Sequence, residues 1–428
     1  MIKSMTRLWK DRRGTVPAIT GAAIPLVVGA AGLATDTIQW VTWKRELQRA
    51  ADSAAFAGAF SRAQNASLAA DAAVARDLTK HNNTGISLSS GYPIITYPNA
   101  SGWMGAVRVT LRVQKKLGFS SMFISSAPTI TATGTAALIQ DGWYCLYALE
   151  DGTDPGITVG GSSNAQIGCN ANSNSQGDPS GKGDGNAYPI TAPMFSGAGN
   201  MPPTITGVTE VRSYQMQQPD PFKDKYPTSV PPSQTCSNMN SQQTMLQGGQ
   251  NKIYQLSPGC YNDSKFTSTN NTYKLQPGVY YLNNTDFEAT GGTIEGTGVT
   301  IILTGTTPGS IQTNGNVKIQ LVAPTSATCG TFSSVNSCDY EEMLFVQSSS
   351  AGVDNLNKIN GSSSSFWDGK LYFPNGKVSF TGSTGATTRC LMVVAKKLDF
   401  SGNANIQNNP SDCDTDGRVP RYVIRLVG

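Results

Sequence analysis

One uncharged stretch near the N-terminus constrains this chain more than any other feature. Between Gly14 and Thr35 no residue carries a charge, and most residues are apolar or small. Folded as a helix, this segment extends roughly 33 Å, about the thickness of the hydrocarbon core of a bilayer. Trp40 and Trp43 follow it, as amphipathic aromatic residues do at a membrane interface. The sequence therefore predicts a transmembrane helix at residues 14–35.

The charge distribution predicts the direction of this span. Residues 1–13 hold five basic residues and one acidic residue, which account for the whole net charge of +4 because the rest of the chain is balanced. Basic residues mark the cytoplasmic end of a span. We therefore expect a cytoplasmic basic tail at residues 1–13 and the remaining chain outside the cytoplasm. A neutral exported part gives no reason to expect nucleic-acid binding. The small residues Gly32-Leu33-Ala34 leave cleavage as a signal peptide open.

The cysteines indicate an oxidising compartment. All eight lie beyond residue 140, and an even number in an exported region is typical of disulfides. No two form a C-x-x-C pair, so the sequence does not favour a zinc site. The simplest connectivity joins neighbours separated by 24, 24, 9 and 23 residues. The predicted pairs are Cys145 with Cys169, Cys236 with Cys260, Cys329 with Cys338, and Cys390 with Cys413.

Residues 36–142 predict a pilin-like helix followed by a small β-sheet. The alanine-rich segment after the span favours a helix that ends near His81. Alternation of apolar and polar residues from Val107 to Val113 indicates a half-buried strand, and Thr129–Ala136 a second one. A stripe of mostly small residues lies on one helix face, where a partner helix could pack closely. Packing of the stripe on the chain's own domain is the alternative. The stripe consists of Leu47, Ala51, Ala54 and Gly58.

Residues 143–428 predict a large β-rich domain. Short apolar runs separated by Gly and Asn turns recur about every 20 residues, as at Val279, Val299 and Val317, and again at Val378 and Leu398. A turn and strand repeating at this period are typical of a β-solenoid, with a β-sandwich as the alternative. Residues 170–240 are rich in Gly, Pro, Ser and Asn, which predicts an irregular insertion. The expected fold class is α+β, with an N-terminal membrane helix and a solenoid-like exported domain.

The N-terminal segment resembles a known family. Its pattern consists of Arg12-Arg13-Gly14, Ile24-Pro25 within the span, Gly32-Leu33-Ala34-Thr35-Asp36 at the end of the span, and the alanine-rich run Leu47–Ala59. This order and spacing resemble the TadE/TadG-like proteins of the Flp, or tight-adherence, pilus assembly system. The β-rich remainder, which begins near Tyr144–Leu149, resembles the larger TadG-type members.

The resemblance implies a function and a location. It implies a non-catalytic pilus assembly component in the bacterial inner membrane, with its bulk in the periplasm. Its partners would be the lipid bilayer and other pilus assembly membrane proteins or pilin-like subunits. Processed pilins of this system carry Glu five residues after the processing Gly, but Ile19 follows Gly14 at that distance. We therefore expect no prepilin-peptidase processing. The Asp-x-Ser-x-Ser metal motif of many TadG-type proteins is absent from the sequence.

Little in the sequence favours catalysis. The single histidine, His81, argues against histidine-dependent triads and metal sites. An alternative function is a membrane-tethered β-helix enzyme or adhesin acting on polysaccharide. Such an enzyme needs paired carboxylates at a set separation. Its candidate acids are Asp286, Glu288, Asp339, Glu341 and Glu342.

One acidic run has the spacing that begins a calcium loop. Asp412, Asp414 and Asp416 precede Gly417, but Val423 stands where the loop requires Glu. The sequence therefore predicts no metal, no cofactor and no catalytic residue, and it identifies no small-molecule substrate.

Overall fold

The computed structural model describes residues 15–64, 69–81, 87–160, 164–183, 190–232, 234–332, 335–360, 362, 364–381, 385–388, 390–401, 405–408 and 418–427. The predicted basic tail, residues 1–13, lies outside these described residues. The chain divides into two compact units, one of residues up to Gln140 together with Tyr422–Gly428, and one of Asp141–Arg421. The last residues thus group with the first unit, whereas the sequence predicts that they belong to the β-rich domain.

Two helices begin the first unit. Helix α1 (Thr15–Ala63) combines the predicted membrane span and the alanine-rich segment in one continuous helix, and α2 is Ala70–His81. At 1.5 Å per residue α1 is about 74 Å long. It continues through Pro25, which helices of apolar spans tolerate because neighbouring groups satisfy the freed carbonyl. The end of α2 agrees with the polar stop expected at His81.

An antiparallel sheet completes the first unit. Its strands are β1 (Ile94–Thr96), β2 (Met104–Gln114) and β3 (Thr129–Ala148), with β2 paired to both others. Strand β3 is shared between the units, because its residues from Asp141 on belong to the second unit. A 3-10 turn, Ser120–Met122, lies in the β2–β3 connection. The alternating apolar residues from Val107 to Val113 are buried, as their period of two requires for a sheet with one covered face.

Small residues let α1 lie close to this sheet. A Cβ at Gly134 of β3 would come within 2.6 Å of the Ala51 backbone. A Cβ at Gly58 would lie 2.9 Å from side-chain atoms of Val74 and Val107. The first unit therefore builds its core by close approach of backbones, and larger side chains at these two positions would overlap their neighbours.

The second unit consists mostly of short strands. In chain order they are β4 Ile157–Val159, β5 Asn164–Gln166, β6 Asn170–Ser173, β7 Gly181–Gly183, β8 Ile190–Gly197, β9 Val208–Arg212, β10 Ser237–Asn238, β11 Gln243–Gln247, β12 Ile253–Leu256, β13 Gly259–Asp263, β14 Lys265–Phe266, β15 Thr272–Leu275, β16 Gly278–Asn283, β17 Phe287–Ala289, β18 Thr293–Thr297, β19 Val299–Thr304, β20 Ile311–Thr313, β21 Lys318–Val322, β22 Thr331–Phe332, β23 Val335–Asn336, β24 Met343–Gln347, β25 Asn355–Ile359, β26 Phe366–Phe380, β27 Gly385–Thr388, β28 Leu391–Phe400, β29 Asn405–Asn408 and β30 Val419–Leu426, whose residues from Tyr422 on belong to the first unit. A four-residue helix, α3 (Met239–Gln242), and a 3-10 turn, Ser337–Tyr340, are also present.

Parallel pairing stacks most of these strands into a β-solenoid of about ten turns. The longest stack follows the order β10, β13, β16, β19, β24, β26, β28, β3, β6, β8 and β9. The predicted solenoid is thus confirmed. Val378 pairs with Leu398 on the next rung, as their 20-residue spacing indicated. Val317 instead precedes β21, which belongs to a different stack from the strands that begin near Val279 and Val299.

The rungs do not follow the order of the sequence. Strand β28 pairs in parallel with β3 and β4, so that Val393 lies beside Leu146 and Leu398 beside Ile157. The chain therefore enters the solenoid at an internal rung and builds outward through β6 and β8 to β9 at one end. It then returns to the opposite end at β10 and winds back to meet its starting rung.

The predicted irregular insertion at residues 170–240 is therefore mostly wrong. Strands β6 to β9, which end at Arg212, form regular rungs of the solenoid. Glycine and asparagine mimic a loop in the sequence because tight corners between short strands need the same residues as loops do. The longest described run of this range without helix or strand is 213–232, which together with residues 234–236 we call the strap.

The strap crosses successive rungs on its return. The Asn174 amide donates to the Gln218 carbonyl, and the Gln218 N–H donates back to the Asn174 side chain, each at 2.8 Å. Farther along, Tyr372 donates to the Asp220 carboxylate at 2.8 Å. Tyr340 then donates to the Pro227 carbonyl at 2.6 Å. These polar contacts fix an otherwise irregular segment, because each satisfies a backbone or buried polar group.

Candidate membrane anchor and interaction surface

The first part of α1 presents large apolar side chains that the protein does not cover. Leu26 is 75% exposed and Val27 66% exposed. Exposing such side chains to water is unfavourable by roughly 25 cal/mol per Å². This helix is long and apolar enough to cross a membrane, judged by length and composition. It therefore indicates a membrane anchor near the N-terminus.

The end of the apolar stretch carries groups suited to a membrane interface. The Thr35 hydroxyl donates to the Ala31 carbonyl at 2.9 Å and the Thr37 hydroxyl to the Leu33 carbonyl at 2.8 Å, so both polar groups are satisfied within the helix. Farther along the helix from Thr37 is Trp43. The Lys115 ammonium lies 5.0 Å from the centre of the Trp43 ring. An amphipathic aromatic ring beside a cation fits the headgroup level of a bilayer.

A buried carboxylate at this level of α1 holds the β2–β3 connection. Asp36 accepts a hydrogen bond from the Phe119 N–H at 2.8 Å, and two more from the N–H and hydroxyl of Ser120. One turn earlier, a Cβ at Gly32 would overlap the Phe119 ring, so only glycine leaves room for it. We call Gly32, Asp36, Phe119 and Ser120 the clamp. Three donors satisfy the buried carboxylate, which makes the contact specific.

The small-residue stripe has a different role from the one predicted. Leu47, Ala51, Ala54 and Gly58 are all buried within the first unit. They face the unit's own sheet and α2, which leaves no surface there for a helix from another protein. The partner-helix contact is thus replaced by the alternative, packing on the chain's own domain.

The uncovered face of the same helix carries an aromatic pair. Phe56 and Phe60 are spaced one turn apart and are both exposed. They lie outside the stripe of small residues, so the sequence pattern does not single them out. Helical spacing alone gives two candidate faces, and the burial of one face identifies the other as the free surface.

The acidic candidates on the solenoid hold neighbouring parts of the structure together. Asp286 accepts from the Ser310 N–H at 2.7 Å, and Glu288 lies 3.6 Å from the Lys265 ammonium. Glu342 forms a 2.6 Å ion pair with the buried Lys370. Burial lowers the pKa of Lys370, and the adjacent Glu342 carboxylate opposes that shift.

The two remaining acids of this set lie at a turn. Asp339 is in the 3-10 turn and Glu341 follows it, and both are exposed.

A second charged cluster lies where β28 meets β4. The Lys397 ammonium is 2.9 Å from carboxylate oxygens of both Asp154 and Asp354, and 3.5 Å from Glu150. Burial by itself lowers the pKa of Lys397, but the hydrogen bonds to Asp154 and Asp354 outweigh it and raise that pKa. The cluster joins segments that are far apart in sequence, at the rung where the chain enters the solenoid.

The cysteines pair along the solenoid. Three disulfides join sequence neighbours, Cys145–Cys169, Cys236–Cys260 and Cys329–Cys338. Cys390 is also disulfide-bonded, whereas Cys413 lies outside the described residues.

The calcium-like run, Asp412, Asp414 and Asp416, lies outside the described residues too, as does the side chain of His81. In the part of the chain that the structure describes, no three His, Cys, Asp or Glu side chains group as metal ligands.

Comparison with known families places the N-terminal region. Residues 14–75 match the Tad family model of Flp pilus-assembly TadE/G-like proteins. This chain carries a TadE/TadG-like segment. No curated protein and no solved structure matches the chain. The match covers α1 from its first residue and continues into α2, and it ends before the sheet of the first unit. The solenoid lies entirely beyond it.

The TadE/G-like segment contains the helical half of the clamp. Gly32 and Asp36 belong to the motif that carried the resemblance, but the sequence did not reveal what they do. Asp36 is the first charged residue after the apolar span, and that position was the available indication of a structural role. Its partners Phe119 and Ser120 lie more than 80 residues away. Only the fold brings them together.

Proposed function

We propose that this protein is a non-catalytic, TadG-type component of Flp pilus assembly. In this proposal α1 anchors the chain in the bacterial inner membrane with its N-terminus in the cytoplasm. The solenoid lies in the periplasm, where its disulfides form. Other pilus assembly membrane proteins or pilin-like subunits are its partners.

The observation that carries the proposal is the coincidence of the TadE/G-like match with α1. The matched helix combines an uncovered apolar stretch with a segment packed on its own sheet, so it does more than tether a domain. Phe56 and Phe60 on its uncovered face are the residues that we assign to a partner contact. Burial of two such aromatic side chains supplies the kind of energy that concentrates at interface hot spots.

A membrane-tethered polysaccharide enzyme or adhesin is the second candidate, because β-helical folds present long surfaces. Against it, Asp286, Glu288 and Glu342 each have a hydrogen-bond or ion-pair partner from a neighbouring segment. A carboxylate that serves as acid or base must instead face substrate at a set distance from a second one.

Piliation tests the proposal directly. Deletion of the gene in its native host should abolish surface Flp pili, counted by electron microscopy, and the wild-type gene should restore them. Phe56→Ser with Phe60→Ser should restore the membrane-bound protein but not the pili. Phe56→Leu with Phe60→Leu, which keeps the apolar surface, serves as the matched control. Pili on cells that lack the gene would refute the proposal.

The acids separate the two candidates. The triple variant Glu288→Gln, Asp339→Asn, Glu341→Gln removes two exposed charges and the half-buried charge of Glu288, and it leaves the buried Glu342–Lys370 pair intact. The structural proposal expects normal piliation from it. If this variant loses function while the Phe56/Phe60 variant keeps it, the enzyme candidate is favoured.

Protease treatment of spheroplasts should remove the solenoid if it is periplasmic, and protection of the solenoid from the protease would contradict the proposed orientation.

A further inference from the structure

The β2–β3 connection carries an uncovered apolar cluster. Met122 is 76% exposed, Phe123 74% and Ile124 56%. Three consecutive large apolar side chains in a loop are unusual on a protein surface, because water disfavours them and turns normally use polar residues. Phe119, four residues before Phe123, packs edge to face against it with ring centres 5.2 Å apart. The loop is therefore a defined structure with one apolar tip.

The clamp fixes this tip at one level of α1. Phe119 lies on Gly32, and Asp36 binds the backbone of Phe119 and Ser120. The Gly118 N–H lies 3.4 Å from the Gln39 side-chain oxygen. These three helix residues span about 10 Å along the axis, from inside the predicted membrane span to just beyond its end. A membrane that surrounds the apolar part of α1 therefore has its surface beside this loop.

The flanks of the loop suit a lipid surface as well. Lys115 and Lys116 precede the apolar tip, and the Lys115 ammonium lies over the Trp43 ring. The loop borders a cavity of about 230 Å³ lined by Lys116, Ser120, Ser121 and Ile124 among others. Cationic and hydroxyl groups beside apolar side chains match the amphiphilic chemistry of a phospholipid headgroup.

We propose that this loop is a second membrane contact, in which Met122, Phe123 and Ile124 insert into the outer leaflet of the bilayer that α1 spans. A single helix can rotate and tilt freely in a membrane. A second insertion point, joined to the helix by the Asp36 carboxylate, sets the orientation of the first unit on the bilayer. The inference goes beyond pilus assembly and rests on the membrane anchoring of α1.

Depth measurements in nanodiscs test the insertion. The described cysteines are disulfide-bonded, so an NBD fluorophore labels an added cysteine in preference to them. The full-length protein is reconstituted in phosphatidylglycerol–phosphatidylethanolamine nanodiscs with and without doxyl-labelled lipid. Phe123→Cys should give a blue-shifted emission that the doxyl lipid quenches strongly. Emission as unquenched and unshifted as that of a label in water overturns the proposal.

Two matched positions calibrate the result. Val28→Cys labels the exposed apolar part of α1 and should be quenched whenever the helix is in the bilayer. Met104→Cys labels an exposed apolar residue of the same sheet, next to Gly105, which lies beside Arg62 of α1. Arg62 is about 40 Å beyond Thr35 along the axis, so this label should stay unquenched. Loss of quenching at Val28 contradicts the anchor itself, whereas loss at Phe123 alone contradicts only the loop.

The clamp and the choice of lipid are tested separately. Asp36→Ala, combined with the Phe123→Cys label, should lose much of the quenching while the Val28→Cys label keeps its own. Unchanged quenching at Phe123 would show that the clamp does not place the loop. In native membranes, benzoylphenylalanine at position 123 should crosslink to lipid. A reproducible protein adduct would mean that a protein covers the tip, which overturns the proposal.

Discussion

The two units of this chain build their cores in opposite ways. In the first unit the residues that matter most are the smallest, because Gly58, Gly134 and Ala51 let α1 rest on the sheet. In the second unit large side chains fill the interior of the solenoid. Phe345 lies between Phe287 and Trp367, with ring centres 5.3 and 5.5 Å apart, and Phe380 stacks on Phe400 at 5.1 Å.

The difference follows from geometry. A helix that lies on a sheet contacts it along one face. Small residues on that face let the two backbones approach closely, so the helix packs well along the contact. A solenoid rung encloses its own interior, and the parallel strands place equivalent positions directly above one another at a fixed spacing of about 4.8 Å. Its interior can only be filled by side chains. Large-to-small substitutions should therefore damage the second unit, and small-to-large substitutions the first.

The largest effect is expected from Phe345→Ala in the second unit. Phe345 is fully buried, and truncation of a buried phenylalanine costs about 3–5 kcal/mol, because the cavity collapses only in part. Hydrogen exchange of the detergent-solubilised full-length protein, followed by mass spectrometry, should show the loss of protection in solenoid peptides. Val353→Ala, an exposed change in the same unit, is the control and should have no effect. Equal protection in both variants would contradict the filled-core description.

The converse change, Gly134→Ala, should damage the first unit. Its Cβ would approach the Ala51 backbone within 2.6 Å, and backbone cannot move aside as a side chain can. Overpacking of this kind costs roughly 1–3 kcal/mol. Exchange should increase in α1 and β3 and stay unchanged in the solenoid. Gly118→Ala is the matched control, because a Cβ there would meet its neighbours at an ordinary 3.8 Å. Similar exchange in both variants would show that close backbone approach is not what stabilises this unit.

How far the sequence predicts these cores depends on the same geometry. The alternation from Val107 to Val113 and the 20-residue spacing of Val378 and Leu398 each report a local periodicity, and the structure agrees with both. The order of the rungs is a different matter. The sequence of residues 391–400 does not predict that this strand pairs with the strand near Leu146. Every rung presents the same repeating backbone edge, so a segment later in the chain would pair with it equally well.

The candidate surfaces show the same limit. The apolar span is visible from composition alone. The helix stripe indicates a tightly packed face, but helical spacing does not say whether the neighbour is the same chain or another. The clamp depends on a contact between Asp36 and Phe119. The composition of the loop around Phe119 is ordinary and does not predict this contact.

A smaller effect is expected at high pH in the second unit. Burial, together with the nearby charges of Glu342 and Glu341, raises the pKa of Tyr226 to about 12, and burial raises that of Tyr261 to about 12. An unfolded tyrosine ionises near pH 10, so the stabilisation is complete below that value and is lost as the pH rises toward 12. For each of these two tyrosines, the free energy of unfolding should fall by roughly 1 kcal/mol by pH 11.

Urea titrations followed by circular dichroism between pH 8 and 11 measure this loss. Tyr226→Phe should flatten the decline in stability, because phenylalanine does not ionise. Tyr214→Phe, at an exposed position, is the control and should leave the decline unchanged. A wild-type stability independent of pH above 10 would show that these rings are solvated.

The smallest effect concerns the charged cluster that joins the two ends of the solenoid path. Lys397 binds Asp154 and Asp354, and its register partner on the preceding rung, Lys377, lies 3.6 Å from Asp399. Exposed ion pairs contribute little, and networks contribute more than single pairs. Lys397→Met should therefore speed exchange in β4 and β28 a few-fold at low salt, and Lys377→Met less.

Salt separates this electrostatic effect from lost packing. The Debye length falls to about 3 Å at 1 M salt, which weakens ion pairs near the surface, so the difference between Lys397→Met and wild type should shrink there. A difference that keeps its low-salt size would assign the effect to the buried stem of the lysine. If Lys377→Met matched Lys397→Met at low salt, the junction would be no more dependent on charge than any other rung. The entry of the chain at an internal rung would then be held by backbone pairing and apolar contacts alone.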